Sequence, residues 1–197
     1  MTFLVQGSAR EALSPAERIV ARNRDLASFW SQAKGWAPDE AAELLSRSRL
    51  DRQVSLSESL LRWTTGEQLS DGDLILAWTN LGALLEGTLK LFLSVYYRDY
   101  IADAEKTQFQ KVFDPESGTH RAPDGLMLEA LSQYFRKAKL LGSEELTLIT
   151  ALQAKRNAIH AFMHRDIGTT EEFHDAVAAY QRLLDGLSSR LPYPFEN

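Results

Sequence analysis

The segment Lys155-Arg156-Asn157-Ala158-Ile159-His160-Ala161-Phe162-Met163-His164-Arg165 gathers two of the chain's four histidines, one asparagine and three basic residues into consecutive positions. Histidine titrates near neutral pH and can take or give a proton. Arginine offers a fixed fork of donors to a phosphate that gains charge in a transition state. Asparagine can orient a hydroxyl or a phosphate oxygen. RNA cleavage by attack of the 2'-OH needs a proton acceptor and a charge stabiliser, and no metal. Arg156, Asn157 and His160 are therefore the candidate catalytic residues, and Lys155, His164, Arg165 and Glu86 are candidates for substrate binding. His160 and His164 also have the i,i+4 spacing of a metal pair. No HExxH accompanies them and Asp166 is the only nearby carboxylate, so neither a metal nor any other cofactor is expected.

The surrounding charge suits a local anionic ligand. The chain carries a net charge of −5, which argues against indiscriminate coating of nucleic acid. Between residues 132 and 166, Arg136, Lys137, Lys139, Lys155, Arg156 and Arg165 stand against Glu144, Glu145 and Asp166. Such residues also occur as ordinary solvated helix faces. The chain has no GxSxG, Walker A or GxGxxG motif. It has no cysteine, which removes thiolate chemistry and disulfides. No apolar run approaches the length of a membrane span, and no leader is recognisable, so a cytoplasmic protein with no membrane partner is expected.

The elements that would hold these residues read as all-helical. Ser14-Pro15-Ala16-Glu17 is a capping box with proline at the first helical position, opening a helix to Lys34 and Gly35. A second helix starts near Pro38-Asp39-Glu40 and reaches about Trp63, with a break expected in the serine-rich 46–59 region. The third, about Asp73 to Asp99, is the most apolar. Leu74, Trp78, Leu81, Leu85, Thr88, Phe92 and Val95 alternate steps of four and three, the face of a central bundle helix. Glu86 lies in this run, either paired with Lys90 at i,i+4 or facing Arg156 from across the bundle.

A polar connection at 114–125 follows, in which His120 reads as a solvated loop residue. Helices are then expected at about 125–140, 144–165 (Ser143 capping) and 170–190, the last opened by the capping box Thr169-Thr170-Glu171-Glu172. Leu191-Pro192-Tyr193-Pro194-Phe195 reads as an extended tail. The four tryptophans, Trp30, Trp36, Trp63 and Trp78, suit core or interface. Residues 1–69 form an N-terminal helical extension packed on a bundle of residues 70–197, or the two make one continuous domain.

On a helix over 144–165, Arg156, His160 and His164 stand at i, i+4 and i+8 and form a stripe. Leu148, Leu152, Ile159 and Met163 set the apolar face. Arg156 falls on its edge, and the histidines lie further round, where a helix meets a groove or a partner. The purely structural alternative has Arg156 bridging to Glu86 or Glu129, or capping a bundle end, with His160 hydrogen-bonded at an interface.

Leu81-Gly82-Ala83-Leu84-Leu85-Glu86-Gly87-Thr88-Leu89-Lys90, followed by Lys155-Arg156-Asn157-Ala158-Ile159-His160, resembles the HEPN superfamily over roughly residues 70–190. That family, named for higher eukaryotes and prokaryotes nucleotide-binding, comprises small helical bundles, many dimeric. Its signature is Arg, a polar residue and a His after four to six intervening residues. Here three residues separate Arg156 from His160, and seven separate Arg156 from His164. Some HEPN toxins that pair with nucleotidyltransferase antitoxins carry a modifiable Tyr two residues after the His. Phe162 stands there instead. The resemblance implies a HEPN-like bundle with a central apolar helix and added N-terminal helices. It implies a homodimer whose cleft joins two copies of Arg156, Asn157 and His160 into a metal-independent ribonuclease site of toxin or phage-defence type, with RNA as substrate and an antitoxin or defence-system protein as partner. A non-catalytic RNA- or nucleotide-binding, dimerisation or adaptor protein is the alternative.

Overall fold

The computed structural model describes residues 12–193, apart from 67, 161 and 163. The described chain is an all-α bundle of eight helices: α1 (Pro15–Trp30), α2 (Asp39–Arg47), α3 (Leu50–Ser59), α4 (Asp71–Val95), α5 (Tyr97–Lys106), α6 (Leu128–Lys137), α7 (Ser143–Arg156) and α8 (Thr170–Ser188). No described helix is long and apolar enough to cross a membrane.

Helix starts follow local chemistry. At Ser14 and Thr169 the hydroxyl accepts from the N–H of Glu17 and Glu172, and each glutamate reaches back to the cap's own N–H, which satisfies two orphan donors at once. Ser70 caps α4 through the N–H of Asp73 at 3.2 Å. One expected cap is displaced: Gly142 precedes α7 and Ser143 is its first residue.

Helix α4 is the axis of the bundle. Leu74, Trp78, Leu81, Leu85, Thr88 and Phe92 are all buried, and Ala77, Leu84, Leu89, Leu91 and Leu93 widen the buried surface. Helices α2, α3, α6, α7 and α8 all pack on α4. One hydrophobic core runs from Ala16 to Leu191, so α1–α3 share it with the rest. The expected helix to Asp99 instead stops at Val95, where Tyr96 leaves helical geometry (φ −95°, ψ 35°) and α5 begins afresh.

The second expected helix is indeed broken, at Ser48-Arg49, and ends in a 3-10 turn at Leu60–Arg62. The connection at 114–125 contains a small antiparallel hairpin pairing Phe113 with His120 and Asp114 with Thr119. His120 is not simply solvated: its ring lies edge-on to Phe113 with centroids 5.5 Å apart. Tyr193 packs on Phe29 with ring centroids 4.9 Å apart, tying the start of the C-terminal tail to α1. Residues 194–197 of that tail lie outside the described residues.

Candidate functional site

Helix α7 carries Glu144 and Glu145 in its first turn and Lys155 and Arg156 in its last, which matches charge to the helix dipole at both ends. Ile149 and Leu152 are its buried residues. The expected apolar face is thus corrected: Ile149 joins Leu152 in the core, Leu148 is half-buried and Ile159 is exposed. Met163 lies outside the described residues.

The helix ends at Arg156, and Asn157–Ile159 form one 3-10 turn closed by the N–H of His160 on the carbonyl of Asn157 at 3.2 Å. The expected helix to 165 is therefore wrong, and with it the stripe of Arg156, His160 and His164. Three tertiary bonds account for the stop. Lys155 Nζ meets Asp166 Oδ2 at 2.6 Å and Glu172 Oε2 at 3.4 Å. Trp78 Nε1 on α4 donates to the carbonyl of Ile167 at 2.8 Å. On a continuing helix Asp166 would lie roughly 16 Å further along the axis than Lys155, so these bonds require the chain to turn back. Gly168 allows the turn: its φ is +69°, and a Cβ there would lie 2.0 Å from Glu172 Oε2 and 2.6 Å from Lys155 Nζ.

Arg156 faces α4. Its Nη1 lies 2.6 Å from Glu86 Oε2, and Lys90 Nζ lies 2.8 Å from the other oxygen, Oε1. Both readings of Glu86 thus coexist in one carboxylate. The side chains of Glu86, Lys90 and Arg156 are 16%, 24% and 25% exposed. Burial alone would raise the Glu86 carboxyl, but the bonds from Lys90 and Arg156 prevail and hold it below its usual range. Counting formal charges, the trio keeps one net positive charge. Glu129 takes no part: it accepts from Gln153 at 2.8 Å and Gln133 at 2.6 Å.

Arg156 approaches closely because of Gly82. A Cβ at that position would stand 2.7 Å from Arg156 Cδ and 3.1 Å from its Cβ and Cγ. The stem of the arginine therefore lies across the bare backbone of α4. Further along, the amide of Gln53 fills the room above Gly87, and its Nε2 donates to the Leu84 carbonyl at 2.7 Å. Tyr180 OH reaches the same carbonyl at 3.2 Å and the Thr88 hydroxyl at 2.7 Å.

The remaining candidates divide. Asn157 is half-buried and sits one turn before His160, which is exposed. His160 follows the 3-10 turn and has already left helical geometry (φ −81°, ψ 71°). Lys155 is drawn away into its carboxylate pair. His164 is exposed and adds to the positive charge that, after Lys155 and the Gly168 N–H, keeps Asp166 acidic. Arg165 lies in the loop with its Nε buried and without a hydrogen-bond partner among the described residues. Among the described residues no three His, Asp or Glu side chains gather as a metal-binding group. Among the described residues no hydrogen bond joins the side chains of Arg156, Asn157 and His160; Arg156 keeps a quarter of its side chain exposed beside Glu86, and His160 is exposed past the end of the helix.

Gly82, Asp166 and Glu172 are the positioning residues that the motif alone does not announce. The only signal for Gly82 is a glycine inside the most apolar helix of the chain.

No family model, curated protein or solved structure matches the chain.

Proposed function

We propose that this chain is a HEPN-like endoribonuclease that cleaves RNA without a metal, and that Arg156, Asn157 and His160 form half of a site completed by a second copy. The Glu86–Arg156 bridge is also the contact of the purely structural alternative, and the observation that carries the catalytic reading is the exposure Arg156 keeps beside it. One guanidinium nitrogen is fixed at 2.6 Å by a part-buried carboxylate, and a quarter of the arginine side chain remains exposed. Orientation is thereby set in advance, while the other N–H donors stay available to a phosphate. Lys90 offsets the Glu86 charge, so an anion arriving at Arg156 meets a net positive cluster.

In the proposed reaction the 2'-OH attacks phosphorus and the 5'-oxygen leaves, giving a 2',3'-cyclic phosphate and a 5'-hydroxyl. Arg156 holds the phosphate as charge develops and His160 moves the proton, each role typically worth ~10²–10⁴-fold in rate. The test is cleavage of single-stranded RNA in EDTA. His160→Ala and Arg156→Lys are both expected to abolish cutting, since lysine keeps the charge but loses the fork. Inhibition of the wild type by EDTA, or undiminished cutting by either variant, would overturn the mechanism.

A second reading is favoured by one observation: Ile159 is 43% exposed and Phe162 fully exposed, beside His160. An apolar tip at that place suits dimerisation or an adaptor contact. If the wild type cuts no RNA but binds it through Arg156, the segment is a binding site without turnover. If it does neither and Phe162→Ser splits a dimer, the segment is an interface.

A further inference from the structure

A cavity of about 270 Å³ opens where α1 and α4 meet the junction of α2 and α3, with Asp124 of the Pro123–Gly125 turn at its rim. It is larger than the ~150 Å³ of a protein cavity that takes up benzene. Neither Arg156 nor His160 lines it. Leu26, Leu44, Leu45 and Leu91 are its buried apolar walls. Ala27, Leu50, Gln53 and Gly87 also line it and are only half-buried, so the space is open to solvent.

Two polar groups on the wall lack partners. Ser94 is 7% exposed, and among the described residues its hydroxyl makes no hydrogen bond. The helical hydroxyls of Thr79, Thr88, Thr147 and Thr150 instead bond back to the carbonyl four residues earlier. Among the described residues, the unpartnered side-chain atoms sealed from solvent belong to Trp30, Asn80 and Arg165. Ser94 Oγ therefore still touches open space, and the space that Ser94 lines is this cavity. Gln53 is alike: Nε2 donates to the Leu84 carbonyl at 2.7 Å, and Oε1 accepts nothing among the described residues. Asn23, on the same wall, is already engaged with the Ile19 carbonyl at 3.0 Å.

Gly87, Leu91 and Ser94 stand at i, i+4 and i+7 and form one ridge of α4. The Gln53 amide oxygen lies over Gly87, where a Cβ would collide with it. The free acceptor and the free hydroxyl are thus two helical turns, roughly 10 Å, apart along the ridge, with Leu91 between them.

The rim is charged but neutralised. Arg47 holds Asp124 at 3.0 Å, Arg49 holds Asp51 at 2.6 Å and Lys90 holds Glu86 at 2.8 Å. A charged ligand of either sign would shed water without meeting an unpaired counter-ion. A wholly apolar ligand would leave Ser94 and Gln53 unmet. A single six-membered ring with a polar group at each end satisfies both: about 2.8 Å of hydrogen bond at either end leaves roughly 5 Å between its polar atoms. We propose that the cavity binds an uncharged, ring-sized small molecule that accepts from the Ser94 hydroxyl at one end and donates to the Gln53 amide oxygen at the other.

The test is calorimetric titration of the full chain with three probes of one shape: 4-hydroxybenzamide, 4-hydroxybenzoate and 4-hydroxybenzamidine, which are neutral, anionic and cationic at neutral pH. The amide is expected to bind about tenfold tighter than either ion, or better. Ser94→Ala removes one oxygen and is expected to weaken the amide about three- to tenfold. The same variant should leave phenol unchanged, since phenol has no acceptor at that end. Ala27→Leu, which fills the cavity from α1, is expected to abolish binding of the amide. Amide-dependent NMR shifts of the Leu44 and Leu91 methyl groups should place the probe, and with Ser94→Ala they decide the matter if Ala27→Leu does not fold. No binding of the amide, an ion bound as tightly as the amide, or amide affinity untouched by Ser94→Ala would overturn the proposal.

Discussion

Glu86 and Arg156, seventy positions apart, meet at 2.6 Å across the α4–α7 contact, and Lys90 closes the other side of the carboxylate. The bond joins the central helix to the end of the segment that bears the candidate chemistry. It also makes Glu86 a positioning residue, since its removal would free Arg156 without touching a substrate.

Glu86→Ala leaves two part-buried cations without their carboxylate. A loss of about 1–3 kcal/mol is expected, well above a surface pair. Glu86 is held below the ordinary glutamate value of 4.5 by its bonds to Lys90 and Arg156, which outweigh burial. A group depressed on folding contributes stability that is present above the unfolded pKa and is lost as pH falls through the folded one. Urea melts should therefore show a gap between wild type and Glu86→Gln that is full at neutral pH and narrows as pH drops below 4.5.

Two glycine substitutions should part company. Gly186 lies inside α8 and a Cβ there meets nothing within 4 Å, so Gly186→Ala should stabilise by roughly 0.5–1 kcal/mol through helix propensity. Gly82→Ala carries the same propensity gain, but the new Cβ would press on Arg156 Cδ at 2.7 Å. It should gain nothing in thermal melts, and it should displace the guanidinium from Glu86.

Gly168→Ala should destabilise by about 1–3 kcal/mol, from its left-handed φ, with the ends of Glu172 and Lys155 shifting to admit the new Cβ. Amide exchange should quicken between residues 164 and 169, with α4 still protected.

His160→Ala should change stability by less than about 0.5 kcal/mol, because the ring is exposed. Any loss of activity in that variant would then reflect chemistry and not folding.

Alkali should unfold the protein cooperatively. Tyr100, Tyr134 and Tyr180 are all pushed above the ordinary value of 10.0, chiefly by burial. A raised pKa gives stability that is complete below the unfolded value and is lost as pH climbs beyond it. Tyrosinate absorbance at these positions should appear together with loss of helical circular dichroism above pH 10.0, not before it.

Much of the fold was legible because it is local. The four-three spacing of α4 and the capping boxes at Ser14 and Thr169 are properties of adjacent residues, and the structure keeps them. The end of α7 was not legible. Ile159 and Met163 continue the apolar spacing of Leu148 and Leu152, and no glycine or proline interrupts before Gly168. What turns the chain is held elsewhere, in Asp166, Glu172 and Trp78. The break at Tyr96 is likewise unmarked by glycine or proline. At the candidate site the types of residue were readable, and so was the pairing of Glu86 with either Lys90 or Arg156. Their simultaneous pairing depends on Gly82, whose role is visible only once α7 lies against it.

The first helix finds its neighbours at both ends of the chain. Arg22 of α1 bonds Asp185 of α8 at 3.0 Å, and Ile19 and Leu26 share a core with Leu184 and Leu187. During synthesis α1 leaves the ribosome before α8 and stays half-covered until α8 has been translated. Because this contact spans most of the sequence, its closure is entropically late. A nascent chain stalled before residue 170 would present a sticky helix to chaperones, and the finished protein would seal it in a single closing step.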